Sequence, residues 1–79
     1  MKLPRDLSGE SLIKHLCKRW DYEVVHQVGN HVILQTGTPG HQRLPVPDHH
    51  VLRVGTLNSI IRLVSTHKGV AKEGVLRGL

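Results

Sequence analysis

Gly29 and Asn30 stand between two segments of strand chemistry, and this pair constrains the chain more than any other feature. Tyr22 to Val28 alternates and is rich in Val and Tyr, and His31 to Thr36 reads HVILQT. β-Branched and aromatic residues fit a pleated surface, and Gly-Asn suits the positive φ values of a two-residue hairpin turn. The spacing therefore predicts an antiparallel pair with Val28 opposite His31 and His26 diagonal to it on the same face. Both faces carry apolar residues, so the alternation leaves open which face is covered. A second turn signal, Gly37-Thr38-Pro39-Gly40, precedes a short third strand over Gln42 to Val46. Pro45 has no N–H to give to a ladder, which puts this strand at an edge or interrupts it there.

Helical patterns flank the strands. Ser8 is a good N-cap, Glu10 suits the positive end of a helix, and Leu12, Ile13, Leu16, Cys17 and Trp20 recur at helical spacing. Cys17 lies within that stripe and reads as a small core residue, not a nucleophile. A second helix is expected to open at Gly55-Thr56, with Thr56 as N-cap and Leu57, Ile60, Ile61 and Val64 as its buried stripe. Gly69 is its expected stop, after His67 and Lys68 at the negative end. Ala71 to Leu79 reads as a short last helix weakened by Gly74 and Gly78. The fold class is α+β in the order α-β-β-β-α, with two helices on one face of a three-stranded antiparallel sheet and a possible short C-terminal helix.

A chain of 79 residues is expected to form a single domain, residues 1–79, with no room for a separate cofactor domain. Eleven Lys and Arg against six Asp and Glu give a net charge of +5 before its seven His are counted. That balance on so small a body points to a polyanionic partner, nucleic acid ahead of an anionic membrane, with plain solubility charge as the bland alternative. One cysteine cannot make an internal disulfide, which excludes a stapled secreted scaffold. No apolar run reaches about 18 residues, and MKLPRDLSGE has no hydrophobic signal region, so a soluble, cytoplasmic protein is expected.

Four constellations bear on chemistry. Zinc commonly takes four Cys and His ligands in paired short spacings, whereas this chain has one Cys and one close pair, His49-His50, whose side chains diverge; no metal or cofactor is expected. A serine hydrolase would need a G-x-S-x-G elbow, which is lacking. The segment RVGTLNS opens the second helix without an acid, so its free N–H groups and Arg53 can hold a phosphate, or the helix is capped by Thr56 and otherwise idle. His31, directly after the turn, is either an ordinary surface residue or a group that exchanges a proton near neutrality, as removal of an RNA 2′-hydroxyl proton requires.

Taken together, LPRDLSGESLIKHL, YEVVHQVGNHVILQT, PVPDHHVLRVGTLNSIIR and the final GVAKEGVLRGL resemble the HicA family of bacterial toxins over nearly the whole chain. The turn-plus-histidine GNH and the P-x-H followed by an L-x-x-G-T-L helix start carry the resemblance in their order and spacing. It implies a fold like the double-stranded-RNA-binding domain and an mRNA-cleaving, metal-independent endoribonuclease neutralised by a HicB-like antitoxin. It also implies that His31 is catalytic. Asn30 stands where family members commonly carry Ser or Gly, and Asn tolerates a left-handed backbone, so the turn is expected to survive. Asn30, Arg53, Thr56 and Asn58 are the expected RNA contacts, and His49 a candidate loop organiser. The rival reading is a non-catalytic RNA-binding module that grips shape and phosphate with the same basic surface.

Overall fold

A computed structural model describes residues 3–79. The elements are α1 (Gly9–Arg19), β1 (Glu23–Val28), β2 (His31–Thr36), β3 (Gln42–Pro47), α2 (Val54–Lys68) and α3 (Lys72–Leu76). The strands form one antiparallel sheet in the order β1-β2-β3, so the α+β order α-β-β-β-α stands, with a short helix after it. Pro45 lies on an edge strand, as its missing donor requires, and β3 continues one residue beyond the expected end, to Pro47.

Sidedness is set by β2 and β3. Val32, Leu34 and Thr36 of β2, with Leu44 and Val46 of β3, are buried against the helices. Leu12 and Leu16 of α1 and Leu57, Ile60, Ile61 and Val64 of α2 close over them. Both long helices pack closest to β3, and all six residues of β1 remain exposed. Tyr22 belongs to the core and not to the strand that follows it. The hairpin turn keeps the expected register, Val28 opposite His31. Its left-handed residue is Gly29, at φ 55, while Asn30 is not among the positive-φ residues. This is the pattern of a two-residue turn that needs a positive φ only at its first position. The left-handed tolerance of Asn30 is therefore not what the turn draws on.

α1 starts where expected. The Ser8 side chain accepts the Ser11 N–H at 3.0 Å, Glu10 occupies the first turn and Lys18 and Arg19 the last. Ile13, Cys17 and Trp20 are partly buried at the margin of the stripe. Burial, and after it the charge of Glu23, pushes the Cys17 thiol above its ordinary pKa, which disfavours the nucleophilic thiolate. His15, off the expected stripe, is buried because α3 covers it, and its Nε2 lies 2.6 Å from the Val75 carbonyl oxygen.

α2 departs from expectation at its start. Its N-cap is Arg53, in extended conformation, and Thr56 sits two residues inside the helix without a side-chain capping bond. The reason is tertiary: Leu52 is buried and its N–H donates to the Leu7 carbonyl at 2.7 Å, so the chain is already anchored when it reaches Arg53. At the other end Gly69 takes φ 69 and its N–H closes on Ser65, as expected.

That end of α2 clamps the loop between β2 and β3. Lys68 Nζ donates to Thr36 Oγ1 at 2.9 Å and to the Thr38 carbonyl at 2.7 Å, and lies 4.8 Å from the centroid of the Tyr22 ring. The Tyr22 hydroxyl donates to Gln42 Oε1, and Gln42 Nε2 in turn donates to the Leu63 carbonyl. Burial pushes the Tyr22 hydroxyl up to about 12.

Two predictions follow from these contacts. A Cβ on Gly9 would lie 2.0 Å from the Pro47 carbonyl oxygen, whereas one on Gly55 meets open space. Gly9→Ala should cost about 1–3 kcal/mol, each lowering Tm by about 4–8 °C, while Gly55→Ala should gain up to about 1 kcal/mol. Thermal unfolding of both variants checks this pair.

The second concerns Tyr22, whose folded pKa is raised, so its contribution is complete below its unfolded value of about 10 and declines as pH rises toward 12. Parent protein should lose roughly 2–3 kcal/mol more than Tyr22→Phe over that window, measured by denaturant unfolding at stepped pH.

Candidate functional site

The two-residue turn fixes His31 as the first residue of β2, between Val28 on β1 and Pro47 on β3. Because Val32, Leu34 and Thr36 point into the core, His31, Ile33 and Gln35 point away from the helices. The open face of the sheet therefore carries His26 and Val28 from β1, these three from β2, and Arg43, Pro45 and Pro47 from β3. Arg43 Nε donates to Gln35 Oε1 at 3.2 Å, which holds the guanidinium on this face. Arg43 was not singled out by sequence, although the alternation from His31 reaches Gln35 and its cross-strand partner once the covered face is known.

The chain after β3 wraps the same end of the sheet. The Asp48 N–H donates to the Asn30 carbonyl at 2.6 Å, and the His49 carbonyl accepts the Gly9 N–H at 2.9 Å. His49 thus organises its loop through its backbone, with its side chain exposed. Asn30, His31, Asp48 and His49 are gathered at one end of the molecule. Rings of His15 and His67 are bonded to backbone carbonyls, whereas those of His26 and His31 are exposed and have no hydrogen-bond partner among the described residues.

Arg53, Thr56 and Asn58 form a second group at the start of α2. Arg53 is exposed, and the first turn contains no acid. The Leu57 N–H already closes on the Arg53 carbonyl at 2.9 Å, so the free amides of the helix end are those of Val54, Gly55 and Thr56. Asn58 lies further in, and its Oδ1 accepts from Lys72 Nζ at 3.1 Å, tying α2 to α3. Residues 48–52 link the two groups, and no hydrogen bond joins them directly among the described residues. Lys14–Glu10, at 3.0 Å, is the one ion pair among the described residues, so Arg43, Arg53 and Arg62 are uncompensated there.

Among the described residues no cluster of three or more His, Cys, Asp or Glu is placed to hold a metal ion. Three shallow hollows lie along α1, α3 and the chain termini, and none is lined by His26, His31 or Arg53. The His31 face is an open sheet surface.

The family model described as HicA toxin of bacterial toxin-antitoxin matches residues 9–65, a span that holds α1, the whole sheet and most of α2. No curated protein and no solved structure gives a match. Asn30, His31, Arg53, Thr56 and Asn58 all fall inside the matched span, which covers well over half of the sequence. The chain belongs to the HicA family, toxins of bacterial toxin–antitoxin systems.

Proposed function

We propose that this toxin is an mRNA endoribonuclease in which His31 transfers a proton while the RNA's own 2′-hydroxyl attacks the adjacent phosphate. The observation that carries the reading is the His31 ring: exposed, without a protein partner, and fixed by the hairpin turn on the open face of a positively charged chain. In the reaction the 2′-oxygen–phosphorus bond forms and the phosphorus–5′-oxygen bond breaks. The 2′-hydroxyl proton passes to a base, and a proton is delivered to the departing 5′-oxygen. The products are a 2′,3′-cyclic phosphate and a 5′-hydroxyl end. His31 takes the first proton. This route uses no metal and no cofactor, and each positioned acid or base contributes about 10²–10⁴-fold.

Arg53 and the free amides at the start of α2 supply the grip, with Asn30, Thr56 and Asn58 as further RNA contacts. A toxin of a toxin–antitoxin system implies an antitoxin partner, and a HicB-type protein is the partner of this reading. An mRNA substrate places the activity in the cytoplasm. No described helix is long and apolar enough to cross a membrane.

His31→Ala should abolish cleavage and toxicity while changing stability by no more than about 0.5 kcal/mol, because the residue is exposed. Incubating purified parent and variant with RNA in excess EDTA, then analysing the ends, checks residue and mechanism together. Parent protein should leave a 2′,3′-cyclic phosphate in the chelator. A folded variant that cleaves at the parent rate would sink the assignment, and cleavage lost in EDTA but restored by zinc or magnesium would sink the metal-free route. Binding without any cleavage, indifferent to His31, would make the protein a non-catalytic RNA-binding module.

The grip is tested separately with the His31→Ala protein, so that the RNA stays intact. Arg53→Gln should weaken binding about equally for unrelated RNAs and flatten the slope of log affinity against log salt by about 0.7, one phosphate contact. An unchanged slope would place the phosphate elsewhere, as along Lys14, Lys18 and Arg19.

A further inference from the structure

The cleavage reaction needs a second proton transfer, to the departing 5′-oxygen, and one histidine in its base role cannot supply both at once. Of the titratable side chains outside the residues already assigned, few are placed to help. His15 and His67 are bonded to backbone carbonyls, and Tyr22 is buried on the helix side with its hydroxyl pushed up to about 12. Cys17 is partly buried in α1. His41 precedes β3, at the end of the sheet away from His31. His49 and His50 are exposed at the same end as His31, but they lie beyond the strands, in the loop whose backbone is bound to the hairpin turn and to α1, and have no cross-strand place beside His31.

His26 is differently placed. Val28 pairs with His31 and His26 pairs with Ile33, so His26 is the diagonal cross-strand neighbour of His31. His31 and Ile33 both face away from the core, and their β1 partners share that face. Diagonal neighbours of an antiparallel pair lie about 7–8 Å apart, a gap that leaves room for one phosphodiester beneath two imidazoles. Both rings are exposed and without a hydrogen-bond partner among the described residues. The register shift of β1 falls between Val24 and His26. Such bulges re-aim the side chains beside them. The other charged residues of this face are Glu23, which pairs with Gln35, and Arg43, bonded to Gln35 farther along the sheet, and Asp48 is exposed just beyond Pro47, the β3 partner of His31.

The geometry points to His26 as a second catalytic residue, the general acid that protonates the 5′-oxygen as the phosphorus–5′-oxygen bond breaks, opposite His31 on the open face. It rests on the reading of His31 as the base. The base is needed unprotonated and the acid protonated, so the parent rate should rise and then fall with pH.

The test uses two RNAs of one sequence, one ordinary and one with sulfur in place of the bridging 5′-oxygen at the cleaved linkage. A thiolate leaves without protonation. His26→Ala should slow cleavage of the ordinary RNA by about 10²–10⁴-fold and lose the fall in rate at high pH. On the sulfur-bridged RNA the same variant should cleave at close to the parent rate, while His31→Ala stays slow on both. Matching thermal unfolding curves would show that both variants are folded. The proposal is overturned if His26→Ala cleaves ordinary RNA at the parent rate, or is slowed equally on the two substrates, and either result leaves His31 standing. A parent protein that cleaves neither RNA, or a His31→Ala protein as fast as the parent, removes the His31 reading and this proposal with it.

Discussion

The segment between β3 and α2 holds two separate parts of the chain, the hairpin turn and the approach to α1, by three bonds through its backbone alone. The Asp48 N–H is bonded to Asn30 in the hairpin turn, the His49 carbonyl to Gly9 at the start of α1, and the Leu52 N–H to Leu7. Each such bond contributes only about 0.5–1.5 kcal/mol net, but a buried donor or acceptor left unpaired costs more. The close approach also requires a residue without a side chain at position 9, where the Pro47 carbonyl occupies the space of a Cβ. The turn that carries His31 and the starts of both long helices are thereby fastened to a single strap.

A second fastening lies at the opposite end of the sheet. There Lys68 reaches Thr36 and Thr38, Tyr22 reaches Gln42, and His67 Nε2 lies 2.7 Å from the Gly40 carbonyl. Its polar groups are satisfied on one another, with the Lys68 ammonium against the Tyr22 ring adding a cation–π contact. Burial lowers the pKa of Lys68, an effect partly opposed by the charge of Asp21. Clamped at one end and strapped at the other, the sheet gives the helices one face and leaves the second bare.

That division separates packing from the residues of the proposed chemistry. Leu34, Leu44 and Val46 are fully buried beneath the helices, while His26, His31 and Arg43 are exposed on or beside the bare face. Exposed positions bear little of the packing, so the catalytic assignments can be tested by substitution in a small chain with a narrow stability margin. β1 extends beyond the cover of the helices, and its irregularity before His26 interrupts an edge that would otherwise be regular.

Local rules carried much of this into the sequence. The Gly29-Asn30 turn sets the Val28–His31 register, Ser8 and Gly69 mark helix ends by their backbone chemistry, and the alternation through β2 assigns His31 and Val32 to opposite faces. The GNH segment and the L-x-x-G-T-L start were legible as family features for the same reason, since each is a short run of neighbouring residues. Four features needed the folded chain. Alternation is symmetric between faces, so only the helices packed on β2 and β3 decide that His31 and His26 share the bare one. The start of α2 at Arg53 follows from the anchoring of Leu52 to Leu7, a contact between segments far apart in sequence, which outweighs the capping preference of Thr56. His15 is buried only because α3 covers it. Gly9 is required only because Pro47 arrives beside it. Turn, cap and period are properties of consecutive residues, whereas burial and close approach are properties of pairs that the chain brings together only when it folds.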